Sequence, residues 1–505
     1  MSANLYDIMQ DHFRDKLDRP AIVTPEGGLW TYGDLDNLSA RFAGLLRRYG
    51  VTPGARVVVQ VDKSVGAVAL YLGALRAGAI FIPLNTAYTE DEVDYFLRDA
   101  RPQIFVCRPE GEEQGERLAA GAGVPFLKLM DTSPDECFWA EALESDPDPE
   151  VEDYEADDLA AILYTSGTTG KPKGAMLSHG NLSSNALTLL KYWAFEDGDV
   201  LLHALPVFHV HGLFVALNTA FLNASKVIFL EKYDVALIRK YLPDSTVMMG
   251  VPTFYTRLLA QEDFGKEDCV NMRLFISGSA PMTAQVHREF EARTGMRILE
   301  RYGMTEAGMI TSNPYHGERI AGTVGFALPG VEVRIADPDG NILAAGETGV
   351  VEARGPNIFE GYWQMPEKTA EEFRDDGFFI TGDVGSLDEE GRLTLEGRAK
   401  DLIISGGLNI YPKEIEACLD AIDGVKETAV IAIPDADFGE AVAAVVVPER
   451  QGSINEEKLR AVVGEKLARF KHPKIYHFVD ELPRNTMGKV QKNLLRQFYA
   501  PDDQA

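Results

Sequence analysis

The segment Tyr164-Thr-Ser-Gly-Thr-Thr-Gly-Lys-Pro-Lys-Gly174 follows an apolar run, Leu159–Leu163, that reads as a buried strand. Lys173–Ser178 reads as a second strand, so the intervening loop caps a hairpin. Within it, Gly167 and Gly170 let the backbone fold tightly around an anion. The hydroxyls of Thr165, Ser166, Thr168 and Thr169 and the ammonium groups of Lys171 and Lys173 can then converge on it. That combination is a cradle for polyphosphate. It differs from the common strand–loop–helix cradle, because Pro172 directly follows Lys171, removing an amide donor and opposing a helix at the point where a Walker loop opens one.

Composition narrows the setting of this loop. A chain of 505 residues, 45% apolar and 25% charged, is long enough for several cored units. No apolar run approaches the roughly 20 residues of a membrane span, and the start lacks the basic-then-apolar layout of a signal peptide. Cys107, Cys137, Cys269 and Cys418 have neither metal nor disulfide spacing, and the expected location is the cytoplasm. A net charge of −29 argues against nucleic acid and anionic membrane as partners. It also means that a nucleotide polyanion must be held by local cations, amides and Mg²⁺, not by the long-range field.

The chain divides by pattern. Residues 20–150 alternate strand-like runs (Arg56–Val61, Ala79–Pro83, Gln103–Cys107) with helical ones, as expected of a doubly wound sheet, whereas acidic, Gly- and Pro-rich Glu110–Asp157 reads mostly as loop. A second alternating series covers Lys226–Leu230, Thr246–Gly250, Arg273–Ser277 and Arg297–Glu300. From about Gly322, short strands broken by Gly, Pro and Asp indicate a small β-rich unit, and beyond Arg398 enough alternating pattern remains for a separate α+β domain. The expected organisation is α/β. A large N-terminal part, residues 1–399, has doubly wound mixed sheets and a β-rich subdomain at about 322–399, and a mobile α+β domain spans 400–505.

Further residues suit a nucleotide. In Glu300-Arg-Tyr-Gly-Met-Thr-Glu306, Tyr302 can stack on a base, Gly303 can turn the chain, Thr305 can bond phosphate and Glu306 can ligate Mg²⁺. Asp383 of Thr381-Gly-Asp383 can accept from both ribose hydroxyls, with Arg398 adding a donor. His209-x-His211 would present two rings on one face of a strand, but no third ligand lies at supportive spacing for a metal.

The cradle, Ser277-Gly-Ser-Ala-Pro281, Glu300–Glu306, Thr381–Asp383, Gly397-Arg-Ala-Lys-Asp401, Ile404–Glu414 and Pro483–Lys489, in that order, resemble the motifs of the adenylate-forming superfamily of acyl-CoA synthetases, adenylation domains and luciferases. The resemblance implies a two-step reaction. A carboxylate attacks the α-phosphorus of MgATP, and a thiol, here CoA, then takes the acyl group and releases AMP. It implies that Ser279 and Ala280 wall the adenine slot, with Glu300, Tyr302 and Gly303 also at the nucleotide. It makes Lys489 the catalytic lysine on the swinging domain and Lys400 its hinge. Ser405, Gly406 and Gly407 would line the pantetheine tunnel, and His209 would gate thiol entry.

Arg301 is the clue to the acid. An arginine beside the acyl pocket would be a buried cation needing a partner, which a second substrate carboxylate supplies; the alternative is that it turns away to pair with Glu300 or another acid. His203–Phe214, Glu300–Glu306 and Thr311–Tyr315 together resemble malonyl-CoA synthetases. That resemblance implies ligation of malonate, or of methylmalonate, to CoA, with Arg301, Ser277 and His209 at the acid. A ligase for short or medium monocarboxylic acids is the competing reading within the superfamily. A P-loop kinase or ATPase is the competing reading outside it.

Overall fold

The computed structural model describes residues 2–135, 137–165, 172–398, 401–405, 408–435, 439–485 and 488–499. Ser166, Gly167, Thr168, Thr169, Gly170, Lys171, Lys400, Gly406 and Gly407, all expected at the site, lie outside them.

Two large mixed sheets make up the bulk of the N-terminal part. In the first, the order is Gly361–Tyr362, Lys173–Ser178, Leu159–Thr165, Ile80–Pro83, Arg56–Gln60, Ile104–Cys107 and Phe126–Leu129. The central strands are parallel, and runs such as Val57-Val58-Val59 are buried on both faces by flanking helices, which is why they lack polar alternation. Leu159–Thr165 and Lys173–Ser178 pair antiparallel, Thr165 opposite Lys173, so the glycine-rich loop does cap a hairpin. In the second sheet, parallel strands Lys226–Phe229, Val200–His203, Val247–Gly250, Leu274–Ser277 and Leu299–Met304 lie side by side within a longer mixed sheet. Loops at the carboxyl ends of such strands are where open α/β sheets bind ligands.

A third, antiparallel sheet holds Glu332–Ala336, Gly349–Arg354, Phe379–Leu387 and Leu393–Arg398. A fourth is built on the long hairpin Val425–Asp435 and Gly439–Pro448, with Ile475–Phe478 parallel to it and Pro412–Asp420 as a helix against it. This last sheet has its own apolar core around Ile415, Leu419, Val442, Ala444 and Leu459, as a separately cored unit requires. The mixed α/β architecture is the expected one.

Two expectations are corrected. Glu110–Asp157 is only about half loop: it carries helices Glu112–Ala122 and Phe138–Glu144 and the strand Phe126–Leu129. The first helix buries only Gly115, Leu118 and Ala119, so its apolar face is too narrow to stand out from the acidic background. The His209-x-His211 segment is not a strand either. His211–Leu217 is a π-helix, a form concentrated at functional sites. Gly212 lies so close to the preceding chain that a methyl there would meet the Pro206 carbonyl oxygen at 2.0 Å.

Candidate active site

Leu299–Met304 carries the densest group of candidate residues. It pairs antiparallel with Gly308–Ser312, with an irregularity at Tyr302/Gly303. Gly303 is required there, since a Cβ would meet the Gly308 carbonyl oxygen at 2.0 Å. Thr305 sits half-buried in the connecting turn, and Glu306 follows it into the interior.

Tyr302 is buried and its Oη donates to Asp383 Oδ2 at 2.6 Å. The other oxygen of Asp383 takes the Arg398 Nε at 2.7 Å. Asp383 and Arg398 are direct cross-strand partners, which explains how residues 15 positions apart in sequence meet. The carboxylate is therefore clamped from two sides on the wall where ribose was expected. Burial pushes the Tyr302 hydroxyl well above its ordinary pKa, and the Asp383 charge adds to that, so the ring stays a neutral donor.

Glu306 is buried, with its Oε1 receiving Tyr362 Oη at 3.1 Å and Thr165 Oγ1 at 3.4 Å. Its pKa is raised by burial, which a cation beside it would reverse. Lys173, expected at phosphate, is paired with Glu372 Oε1 at 2.7 Å and lies 3.9 Å from the Tyr362 ring centre. It anchors the hairpin to the 361–372 segment, and Tyr362 and Glu372, which nothing in the sequence singled out, join Glu306 and Lys173 in the candidate site. Glu300 has its carboxyl pushed up to about 7 by burial, opposed by the Gly322 amide and by Lys413 of the C-terminal unit.

Arg301 is 4% exposed, and its Nε and Nη2 have no hydrogen-bond partner among the described residues. Burial lowers it to about 9, with only Tyr255 raising it. It does not turn away to Glu300: neighbours on a strand point to opposite faces. Strand register places Ser277 beside Glu300 and so carries Gly278 to the Arg301 side, where a methyl on Gly278 would lie 2.4 Å from the guanidinium carbon. Ser277, expected at the substrate carboxylate, is buried with its Oγ unpartnered among the described residues. Ser279, expected at adenine, bonds His211 Nδ1 at 3.1 Å and holds a left-handed φ of 68°. Ala280 follows it, half-buried.

His209 and His211 complete the pocket. His209 is lowered to about 4 by burial and then by Arg301; its Nδ1 accepts from the His211 amide at 3.2 Å. His211 is held well below the ordinary imidazole value by burial and then by Arg301, and its Nε2 is unpartnered among the described residues. Both rings are neutral near pH 7, and among the described residues the cation acting on them is Arg301. The pocket can take an anion.

Lys489 is exposed and lies in a tight turn in which the Gly488 amide donates to the Asn485 carbonyl and the Lys489 amide to Asn485 Oδ1, both at 2.9 Å. A Cβ on Gly488, whose φ is 73°, would meet Thr253 Oγ1 at 2.9 Å. Thr253 stands in the first turn of Pro252–Leu259, just beyond the Val247–Gly250 strand, so the lysine's turn is seated on the carboxyl edge of the second sheet. Ser405 ends the Ile403–Ser405 strand of the C-terminal unit.

A family model described as AMP-binding enzyme matches residues 9–363, and one described as AMP-binding enzyme C-terminal domain matches 414–489. The chain is 34% identical over 547 residues to a malonate–CoA ligase of Arabidopsis thaliana, covering 98% of this chain and 89% of that one. It is 35% identical over 493 residues to a feruloyl-CoA synthase of a Streptomyces species, covering 96% and 97%. Among solved structures, ATP-bound MatB from Rhodopseudomonas palustris is 52% identical over 99% of both chains with a TM-score of 0.95. Apo MatB from the same organism gives 0.87 at 51% identity and the same coverage.

Proposed function

This chain belongs to the AMP-binding enzyme family, and on that premise we propose that it joins malonate to CoA, driven by ATP, through a malonyl-adenylate. The observation that carries the choice of acid is Arg301, a buried guanidinium with two nitrogens unpartnered among the described residues. Malonate brings two carboxylates. One attacks the α-phosphorus, and the other neutralises Arg301 through a charge-assisted pair. A monocarboxylic or aromatic acid leaves that cation buried and unpaired, at a cost of several kcal/mol. Methylmalonate keeps both carboxylates and is the expected second substrate.

The nucleotide's ribose takes Asp383, already oriented by Tyr302 and Arg398. Glu306 and the Thr165 hydroxyl give an all-oxygen donor set suited to Mg²⁺, which would supply charge neutralisation at the phosphates. Lys489 adds a cation where charge builds during adenylation. The lysine is carried on the C-terminal unit, so adenylation requires that unit to stay seated at Thr253. Its withdrawal about Lys400 then exposes the adenylate to CoA along Ser405, Gly406 and Gly407, with His209 at the entrance. The closer likeness to the ATP-bound than to the apo neighbour supports reading the present arrangement as the adenylating one.

The test is pyrophosphate release with malonate, methylmalonate, acetate, butyrate and octanoate, with and without CoA. Malonate giving the highest kcat/KM, with AMP as co-product, supports the proposal. A preference for butyrate or octanoate, or ADP as product, contradicts it.

A further inference from the structure

Lys63 lies in the first sheet's territory, in the turn between Arg56–Gln60 and the helix Val65–Arg76, yet its ammonium group reaches into the second sheet. Its Nζ donates to the Leu230 carbonyl at 2.6 Å and to the His203 carbonyl at 3.1 Å, and lies 2.7 Å from His203 Nδ1. Three protons meet three acceptors. Lys63 forms no ion pair among the described residues; burial pushes its pKa well below the ordinary lysine value, and the charge of the exposed Glu231 acts in the opposite direction. The aromatic ring of Phe229, 4.2 Å from Nζ and stacked on His203, closes the site.

A carbonyl can only accept, so His203 Nε2 bears the hydrogen toward Gly212, at 2.9 Å, and the Nδ1 of the neutral ring accepts from Lys63. Gly212 belongs to the first turn of the π-helix His211–Leu217. The neighbouring His211 bonds Ser279, and Ser279 follows Gly278, over which the Arg301 guanidinium lies. A continuous series of contacts therefore runs from Lys63 to the wall facing Arg301, with one direction of donation through His203.

We propose that Lys63 and His203 are positioning residues for the acid: the lysine locks one imidazole tautomer, which holds the π-turn so that His211 and Ser279 frame the anion site beside Arg301. Neither touches the reacting atoms. The inference rests on the diacid reading of Arg301.

The test compares Lys63→Met, which keeps the shape and removes the donors, with Lys63→Arg, which keeps donors and charge. Pyrophosphate release is followed against malonate and butyrate, with Arg301→Ala in parallel. Lys63→Met is expected to raise the malonate KM by about tenfold or more, with kcat at saturation within about threefold and butyrate kcat/KM within about twofold. Lys63→Arg should recover most of the malonate KM. Equal losses for both acids, an unchanged malonate KM, or no recovery with arginine overturns the proposal. Should Lys63→Met fail to accumulate as folded protein by circular dichroism, His203→Gln takes its place. Its amide cannot span both the Lys63 and Gly212 bonds, and the same malonate-selective KM increase is expected. If Arg301→Ala alone changes the malonate-to-butyrate ratio, the relay is wrong and the diacid reading stands. If Arg301→Ala leaves the ratio unchanged, the diacid reading falls and the relay falls with it.

Discussion

The guanidinium of Arg301 occupies the space that a side chain on Gly278 would need, 2.4 Å from a Cβ built there. Gly278 thus sets where the buried cation sits, without any polar atom of its own side chain. Gly278→Ala is expected to push the guanidinium aside, raising the malonate KM about tenfold while butyrate kcat/KM changes little. The overpacking lowers stability by about 1–3 kcal/mol. Steady-state kinetics on both acids and a urea melt check this; an unaltered malonate KM contradicts it.

The seat of Gly488 on Thr253 yields a prediction that separates the two half-reactions. Thr253→Leu puts a larger side chain where even a Cβ on Gly488 would come within 2.9 Å of Thr253 Oγ1, and so holds Lys489 off the nucleotide. ATP–pyrophosphate exchange is expected to fall by about tenfold or more, whereas CoA transfer from chemically prepared malonyl-adenylate is expected to stay within about twofold. Lys489→Ala should behave the same way with a larger loss in exchange, of a few kcal/mol in barrier height. Equal losses in both half-reactions would show damage to the whole site.

Glu300 makes stability depend on pH with an unusual sign. Its carboxyl titrates at about 7 when folded and near the ordinary 4.5 when unfolded, so between those values the folded chain holds the extra proton. Stability from this group is full below about pH 4.5 and is lost as pH rises through about 7. The loss amounts to about 3 kcal/mol at most. Glu300→Gln removes the titration, so the variant should gain on the parent as pH rises from about 4.5 to 7. Urea unfolding of both proteins across that interval measures the difference. A flat or falling difference contradicts the assignment.

Much of this architecture is legible in the chain because its signals are local. Val57–Val59 and Val247–Gly250 are short apolar runs bounded by turns, and buried parallel strands need nothing more. Asp383 and Arg398 can be paired as motifs, although only strand register explains why they meet. What could not be read depends on contacts between distant segments. Lys63 and His203 are 140 residues apart, and the π-helix after His209 follows from packing against Pro206 and from the His203 bond. The partner of Lys173 in this structure, Glu372, is 199 residues away and carries no local signal. Gly278 lies in the motif Ser277-Gly-Ser-Ala-Pro281, but nothing local distinguishes a glycine that turns the chain from one that makes room for a guanidinium.

The most direct measurement is the ratio of kcat/KM for malonate to that for butyrate in the parent chain and in Arg301→Ala. The proposed diacid site predicts that malonate loses about 30-fold to several-thousandfold on removal of the guanidinium, while butyrate is unchanged or improved. Equal losses for the two acids, in a variant that melts like the parent, would contradict it.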